Sequence, residues 1–396
     1  MRDLFMLDPD IIFLNHGSFG ACPQPIFDVY QEWQRRLERH PVKFLIRDLP
    51  RYLRVARESL GQFINADADD LALITNATVG VNIVARSLPL AEGDEVLTTD
   101  HEYGACDNAW DMLSGKHGFS YVKQHIPLPL TTPEAIVEQL WAGVTPRTKL
   151  IFVSHISSTT AVRFPVEQIC ARARAEGILT LVDGAHAIGQ LPLDMAAIDA
   201  DFYTGNAHKW LMAPKGAAFL YTRRDKQPLV EPLVVSWGYH QNNPFAETGS
   251  QYVNYLEWIG TRDPAPMLTI PMSIAFFEEN EWPKRQRECQ ALVGYWLKEM
   301  EELTGETAVY PLNIPPADNY FYHQLAVAPL PKIGDLLGFK TKLYDEYQIE
   351  IPQTEWHDMQ FLRISIQAYN TKSDIDSLLE AVRELLPQFA AEWWGV

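Results

Sequence analysis

A chain of 396 residues, 47% of them hydrophobic and 21% charged, has the composition of an ordinary globular protein, and its length favours a large domain with a smaller companion. The formal net charge of -18 at pH 7 argues against a nucleic-acid partner and against an anionic membrane surface, because both bind clustered Lys and Arg. We therefore expect a small soluble substrate.

Other absences narrow the class of protein. The four cysteines, Cys22, Cys106, Cys170 and Cys289, are far apart and form no CxxC pair, so the sequence predicts no disulfide framework and no metal site. The N-terminus, MRDLFMLDPD, lacks the basic and apolar regions of a signal peptide. No apolar run reaches the roughly 18 residues of a membrane span. We predict a cytoplasmic protein without a membrane partner.

The predicted elements begin with helical patterning over residues 25–57, broken at Pro41 and Pro50. From about residue 70 to 225, short β-rich runs alternate with amphipathic or Ala-rich segments, which predicts a parallel sheet with helices on both faces. The runs are LALIT (71–75), EVLTT (95–99), KLIFVS (149–154), ILTLVD (178–183), DFYTG (201–205) and AAFLYT (217–222). Each ends in polar or small residues, where an open α/β sheet binds its ligands.

The remaining residues predict a different arrangement. After a turn-rich break at 263–266, the sequence SIAFFEENEWPKRQRECQALVGYWLKEMEEL indicates one long helix or two that meet at Pro283. The stretches HQLAVAPL, QIEIP and FLRISIQ are β-like, and residues 334–347 and 374–387 are helical in pattern. This mixture is typical of a small α+β domain.

The common nucleotide and hydrolase motifs are absent. No GxGxxG, GxxxxGK[ST], GxSxG or HExxH occurs in the chain. The predicted sheet must therefore bind its ligand by other residues.

The stretch TNATVGVN, residues 75–82, lies where the first predicted strand ends and a helix begins. N–H groups at a helix N-terminus together with the Thr78 hydroxyl can bind a phosphate. A plain helix N-cap by Asn76 or Thr78 is the alternative.

Two further strand ends carry reactive groups. Asp183, in LVDGAHAIGQ, can bind a metal, cap a helix or pair with the protonated ring nitrogen of a cofactor. Lys209, in TGNAHKWLMAPKG, has apolar neighbours, and desolvation lowers the pKa of an amine so that it can attack a carbonyl. A solvated surface lysine is the alternative. Because both residues follow consecutive strands, the functional interpretation is favoured. For Lys215 we expect solvation or support of the loop.

These motifs together resemble one enzyme family. DGAHAIGQ followed by HKW, with NAT before and GTRD after, resembles the fold-type I pyridoxal phosphate (PLP) enzymes of aminotransferase class V over nearly the whole chain. FLNHGSFGACP (13–23), HISSTTA (155–161) and GTRD (260–263) most resemble the isopenicillin N epimerase-like branch, with the ergothioneine-pathway C–S lyases nearby.

The resemblance implies an α/β protein with the PLP-transferase type I fold. Its N-terminal segment, 1–20, would line the site. Its large PLP-binding domain, 21–265, would hold a mainly parallel sheet flanked by helices. A small C-terminal α+β domain, 266–396, would follow.

The resemblance also implies a role for individual residues. Lys209 would bind PLP covalently, and Asp183 would pair with its pyridine nitrogen. The residues expected at the phosphate are Ala77, Thr78, Asn206 and His208. Those expected near the phenolic oxygen are His186 and Ser158 or Thr159. Gly260 and Thr261 would reach the phosphate of a neighbouring subunit, which implies a homodimer.

Tyr103 falls where the family places a ring over the cofactor face, frequently a histidine in the desulfurase members. Arg363, in FLRISIQAYN, falls at the arginine that binds the substrate carboxylate, and a sheet arginine in an ion pair is the alternative. Asn15 and His16 would lie at the mouth of the site, and a structural histidine is equally compatible. Cysteine desulfurases of this class carry a reactive cysteine on a loop shortly before that arginine. No cysteine follows Cys289 in this chain, so the resemblance argues against a cysteine desulfurase.

The implied chemistry begins with Lys209 acting as a general base at Cα. Reprotonation from the opposite face gives epimerisation, for which Tyr103 or His16 would be the second acid. Loss of a β-thiolate or sulfenate gives a C–S lyase, and reprotonation at the cofactor gives an aminotransferase. An idle PLP-fold binding protein is a further alternative, against which Asp183 and Lys209 argue. The sequence thus predicts an isopenicillin N epimerase-like enzyme, with a C–S lyase as the alternative.

Overall fold

The computed structural model describes residues 1–239 and 249–390. Residues 240–248, in the predicted large domain, and 391–396, in the predicted small domain, lie outside the described residues. Within the described ranges, no helix has the length and apolarity to cross a bilayer.

The strands, in chain order, are β1 (Ile12–Phe13), β2 (Leu71–Ile74), β3 (Glu95–Thr99), β4 (Ser120–Gln124), β5 (Thr148–Ser154), β6 (Leu179–Asp183), β7 (Phe202–Asn206), β8 (Ala218–Thr222), β9 (Leu325–Leu330), β10 (Ile349–Glu350), β11 (Gln353–Trp356) and β12 (Met359–Ser365).

The α-helices are α1 (His16–Phe19), α2 (Gln24–Arg39), α3 (Pro41–Lys43), α4 (Leu49–Ile64), α5 (Ala77–Ser87), α6 (Gly104–His117), α7 (Pro133–Trp141), α8 (Val166–Ala175), α9 (Met195–Ile198), α10 (Gln251–Glu257), α11 (Ala265–Leu268), α12 (Ile270–Glu279), α13 (Trp282–Thr304), α14 (Leu336–Tyr347) and α15 (Lys372–Phe389). Short 3-10 or π segments lie at Arg2–Leu4, Phe44–Asp48, Ala68–Asp70, Arg224–Leu229, Trp237–Tyr239 and Pro316–Asp318.

The main sheet has seven strands in the order β2-β8-β7-β6-β5-β3-β4. All of its neighbours pair in parallel except β8, which is antiparallel to both β2 and β7. The six β-rich runs of the sequence are all strands of this sheet, so the prediction of a mainly parallel sheet is confirmed. The edge strand β4, SYVKQ, was not predicted because it is half-exposed and largely polar.

The sheet separates two apolar cores, because successive side chains of a strand point to opposite faces. Phe152 and Leu181 belong to the core on one face, while Ile151 and Val182 belong to the core on the other. Both faces are thus covered, which explains why β5 and β6 are apolar almost throughout.

The smaller sheet is antiparallel, in the order β11-β12-β9, and α13 packs on β9. Of the two alternatives for the preceding helical stretch, two helices are found: α12 ends at Glu279, and α13 begins at Trp282. Glu281, between them, has the left-handed φ of 51°, and Pro283 stands in the first turn of α13, where proline is tolerated.

The N-terminal segment contacts the end of β12 and the loop that follows β7. Its strand β1 pairs in parallel with β10, and Asn15 forms a β-bridge with Ser365 at the end of β12. At its end, Gly20 approaches the chain beside Lys209 so closely that an added Cβ would lie 2.2 Å from the His208 carbonyl oxygen. Gly20 also has a φ of 73°, so only glycine suits this contact.

Candidate active site

A cavity of about 760 Å³ lies at the carboxyl ends of β5, β6 and β7, the edge at which the sequence predicts ligand binding. Ten of the predicted site residues line it: Ala77, Thr78, Tyr103, Ser158, Asp183, His186, Asn206, His208, Lys209 and Arg363. Its charged side chains are Asp183 and the three cations Lys209, Lys215 and Arg363. The excess of positive charge suits an anionic ligand.

Asp183 ends β6 and is almost fully buried. Its Oδ1 accepts the Ala185 N–H at 2.9 Å, and its Oδ2 lies 3.6 Å from the Cys106 thiol, a weak donor. Burial raises the pKa of this carboxyl group, while the Ala185 N–H and the charge of Lys209 oppose the rise. With only these two contacts, the buried carboxylate of Asp183 still has free acceptor sites. A cationic partner would therefore stabilise its charged form.

Lys209 follows β7, and its Nζ lies 3.1 Å from His186 Nε2. The other ring nitrogen of His186, Nδ1, accepts the indole N–H of Trp210 at 3.3 Å. This indole bond leaves the histidine proton on Nε2, where it can be donated to the amine. Burial lowers the pKa of His186 well below its usual range, so the ring is neutral.

The electrostatic environment of Lys209 increases the neutral fraction of its amine. Burial and, to a lesser degree, the charge of Arg363 lower the pKa of Lys209 to about 8, although Asp183 opposes them. A primary amine with such a pKa is a competent nucleophile and general base near neutral pH.

The N-terminus of α5 lies beside these groups. Gly80 allows the helix to pack against β7, because an added Cβ would meet the Thr204 hydroxyl at 2.2 Å. Asn76 caps the helix by accepting the Val79 N–H at 2.9 Å, so one of the two interpretations of this motif, the N-cap, is present. The cap does not exclude the other, because helix N-terminal groups still face the cavity.

Within this helix end, the groups differ in what they can bind. The Ala77 N–H is already donated to Asn206 Oδ1 at 2.8 Å, so Asn206 positions the helix start. Thr78 and His208 line the cavity. His208 uses Nδ1 to donate to the Ala217 carbonyl at 3.0 Å and leaves Nε2 for a ligand, while burial lowers the pKa of its ring to about 4.

Arg363, on β12, is buried and has no carboxylate partner among the described residues. Its Nη1 donates to the Ser158 carbonyl at 2.6 Å and to the Ser158 hydroxyl at 3.0 Å, and its Nη2 donates to the Ser18 hydroxyl at 3.0 Å. A guanidinium has five N–H donors, and Nε finds no hydrogen-bond partner in the part of the chain that the structure describes. The arginine is therefore held in place with donors to spare.

The N-terminal segment supports that arginine. Ser18 donates to Asn15 Oδ1 at 2.5 Å, and Asn15 donates to Glu350 at 3.0 Å. The predicted residue Asn15 therefore lies behind Ser18 and does not line the cavity. Ser18 and its exposed neighbour Phe19 do line it, although neither was predicted and the FLNHGSFGACP motif that contains them was the only signal.

Tyr103 precedes α6 at the cavity wall and is 45% exposed. Burial lowers the pKa of Arg363 to about 10, although Tyr103 raises the pKa of that guanidinium and so opposes the effect of burial. Tyr103 thus lines the same cavity as Arg363, and its ring is available to a ligand.

His16 is fully buried outside the cavity. Its Nδ1 bonds to the Tyr369 hydroxyl at 3.0 Å, and its Nε2 lies 3.1 Å from the Lys209 carbonyl oxygen. Burial lowers the pKa of this ring to about 3. Of the two interpretations of His16, these contacts favour the structural one, in which the ring supports the backbone of Lys209.

Three further predicted residues lie away from this cavity. Thr159 accepts the Thr354 hydroxyl on its carbonyl at 2.8 Å and does not line the cavity. Gly260 and Thr261 also lie outside it, in a surface turn in which Thr261 is exposed and Gly260 has a φ of 110°. They are available to contact another molecule.

Lys215 lines the same cavity as Lys209, although the sequence did not place it there. It is exposed, and its Nζ donates to the Gly20 carbonyl at 2.7 Å, which matches the expected support of a loop. The two lysines of TGNAHKWLMAPKG therefore differ: only Lys209 contacts a buried histidine.

The side chains fit PLP, the cofactor that the resemblance implies. Lys209 supplies an amine for the aldehyde, Asp183 a buried carboxylate with free acceptor sites for the ring nitrogen, and Thr78 with His208 polar groups at a helix N-terminus for the phosphate. The spare acceptor capacity of Asp183 is the most specific of these observations.

The chain is similar to known proteins of one enzyme family. The family model described as Aminotransferase class-V matches residues 26–319. The chain is 36% identical to the isopenicillin N epimerase of Amycolatopsis lactamdurans, over 97% of this chain and 97% of that protein. It is 30% identical to the putative L-cysteine desulfhydrase 1 of Oryza sativa subsp. japonica, over 94% of this chain and 83% of that protein.

Solved structures show the same fold. A structure of the cystine C–S lyase C-DES with its product cysteine persulfide has a TM-score of 0.81 and 20% identity, covering 96% of this chain and 98% of that one. Another C-DES structure, with glycine covalently linked to its PLP cofactor, has a TM-score of 0.80 and 20% identity, covering 97% and 99%.

Proposed function

The chain belongs to aminotransferase class V and its cofactor is pyridoxal phosphate; from this premise we propose that it epimerises the α-carbon of an amino acid or amino-acid-derived substrate. The observation that carries the proposal is the placement of Lys209, Asp183 and Arg363 around one cavity, where Arg363 has no carboxylate partner in residues 1–239 and 249–390. Isopenicillin N epimerase, at 36% identity over nearly the full length, indicates the reaction type and a first substrate to test.

Arg363 binds and orients the substrate in this proposal. Its guanidinium is buried, is held by Ser158 and Ser18, and keeps N–H donors for the α-carboxylate. A charge-assisted hydrogen bond of this kind contributes about 1.5–3 kcal/mol. The clamp therefore fixes the substrate with Cα close to Lys209.

Lys209 moves the proton. PLP, when bound, supplies an electron sink for the bond that breaks at Cα. Lys209 Nζ then takes the Cα proton, and the neutral His186, held by the indole N–H of Trp210, positions the amine. Asp183, which accepts one hydrogen bond on Oδ1 from the Ala185 N–H, would accept another from the protonated ring nitrogen of the cofactor and would stabilise its positive charge.

Epimerisation requires a second proton donor on the opposite side of Cα. Tyr103 is the candidate in the cavity, because it lines the same cavity as Arg363, the group that fixes the substrate. His16, the other candidate of the sequence, is fully buried behind the Lys209 backbone. We therefore assign the second acid to Tyr103.

A C–S lyase is the second candidate function. It is favoured by the 30% identity to an L-cysteine desulfhydrase, and it needs only the base Lys209. A cysteine desulfurase is disfavoured, because all four cysteines are buried and burial raises the pKa of the Cys106 thiol, the one that contacts Asp183.

We also propose a homodimer. Gly260 and Thr261 lie in an exposed turn outside the cavity of their own chain, as expected if they contact the phosphate site of a partner subunit. Sedimentation of the protein should give a mass near twice 45.1 kDa. A monomer that binds PLP with full occupancy would contradict the shared site.

The reaction type is tested by incubating the holoenzyme in deuterium oxide with isopenicillin N and, separately, with L-cysteine derivatives. An epimerase incorporates deuterium at Cα and yields both configurations without loss of substrate. Pyruvate and ammonia, released together with sulfur, would instead establish the lyase. Lys209→Ala is the control, because it removes the base.

A further inference from the structure

A cluster of three potential metal ligands lies outside the cavity. Asp100 follows β3, His125 follows β4, and His357 lies in the loop between β11 and β12. The carboxylate of Asp100 lies 2.7 Å from His125 Nδ1 and 2.7 Å from His357 Nε2. All three ligand atoms lie within 4.8 Å of one another.

Neighbouring groups hold these side chains in place. Asp100 Oδ1 accepts the Ile126 N–H at 3.1 Å, and the Asp100 carbonyl accepts the indole N–H of Trp356 at 2.9 Å. The Trp356 ring is stacked on the His125 ring, with an interplanar angle of 12°. Such supporting contacts are typical of residues that orient metal ligands.

His357 has an unusual backbone. Trp356 pairs with Met359, so His357 and Asp358 form a two-residue hairpin loop, and His357 has a φ of 50°. Glycine is the ordinary residue at a hairpin position with positive φ, and a histidine there costs free energy. The conformation directs the imidazole toward Asp100.

We propose that Asp100, His125 and His357 form a Zn²⁺ site. Two imidazoles and one carboxylate are ligands that Zn²⁺ prefers, and a water molecule completes a tetrahedral site. The histidine side chains are more than half exposed, at 57% and 56%, so water can reach the fourth position. A nitrogen that ligates a metal ion carries no proton, so each ring would bind the ion as the tautomer with its proton on the other nitrogen.

Binding there would join two parts of the protein. Asp100 and His125 belong to the edge of the main sheet, whereas His357 belongs to the hairpin that continues into β12 and Arg363. The site has no motif in the sequence, because Asp100 lies 25 residues from His125 and 257 from His357. The Zn²⁺ ion would thus anchor the strand that carries Arg363.

The test uses tag-free holoenzyme freed of metal by a chelator. Titration calorimetry with Zn²⁺ should give one ion per chain, and Zn²⁺ should raise Tm by a few degrees at saturating concentration. Co²⁺ should add ligand-field absorption at wavelengths longer than the cofactor band. His125→Ala and His357→Gly should abolish all three signals, whereas His117→Ala, which removes an exposed histidine elsewhere, should retain them.

His357→Gly also separates loss of binding from loss of folding, because glycine suits the backbone at this position. Its Tm without metal should equal or exceed that of the wild type. The proposal would be overturned if stoichiometric Zn²⁺ binding persisted in both variants, or if Zn²⁺ did not bind the wild type. A change of the PLP absorption spectrum on Zn²⁺ binding would also overturn it.

Discussion

The depressed pKa of Lys209 predicts how the protein without cofactor captures PLP. Burial and Arg363 lower the pKa of this amine from 10.5 to about 8. Only the neutral amine attacks an aldehyde, so the rate should follow its fraction. At pH 7.5 that fraction is about 24% for a pKa of 8 and about 0.1% for a pKa of 10.5, a difference of roughly 240-fold.

The rate of PLP capture is measured at a series of pH values, from the absorbance change after rapid mixing of the apoprotein with PLP. The rate should rise about tenfold per unit below pH 7 and reach a plateau above pH 9, because the amine is then largely neutral. The same experiment with N-acetyl-lysine corrects for titration of PLP itself. A rate that continues to rise tenfold per unit to pH 10 would refute the reasoning about Lys209.

Three substitutions test other parts of the site. Arg363→Lys should raise KM for the amino-acid substrate by about 10- to 100-fold with the PLP spectrum retained, because a lysine cannot form the bidentate contact; an unchanged KM would exclude Arg363 from carboxylate binding. Tyr103→Phe should retain deuterium exchange at Cα but lose inversion, and epimerisation at the wild-type rate would exclude the phenol as the second acid. Gly20→Ala should lower the free energy of unfolding by about 1–3 kcal/mol, because Gly20 has a φ of 73° and the added Cβ would lie 2.2 Å from the His208 carbonyl oxygen. Gly249→Ala is the control, since a Cβ there would meet no atom within 4 Å. Equal Tm values for the two variants would contradict the close contact of Gly20 with the chain beside Lys209.

The strand positions were predictable because burial on both faces leaves an unmistakable apolar run, as in KLIFVS and ILTLVD. Strand β11, Gln353–Trp356, was not predicted, since QTEW is partly exposed and has no apolar pattern. The grouping of Asp183 and Lys209 was predictable for a different reason. Asp183 ends one strand and Lys209 follows the adjacent parallel strand, and the carboxyl ends of these strands meet at one edge of the sheet.

Contacts between distant segments could not be inferred from the sequence. Ser18 contacts Arg363, which is 345 positions away in the chain, and Lys215 contacts the Gly20 carbonyl, which is 195 positions away. No sequence motif relates residues at such separations. The tautomer of His186 likewise depends on the indole of Trp210, a contact that only the fold provides. The sequence thus identified reactive residues better than the residues that hold them in position.

The most direct test of the central claim is to reduce the holoenzyme with borohydride, digest it and locate the pyridoxyl group by mass spectrometry. Lys209, which contacts the buried His186, should carry the label, and Lys209→Ala should carry none. A pyridoxyl group on Lys215, which lines the same cavity and donates to the Gly20 carbonyl, would contradict the assignment of the catalytic lysine.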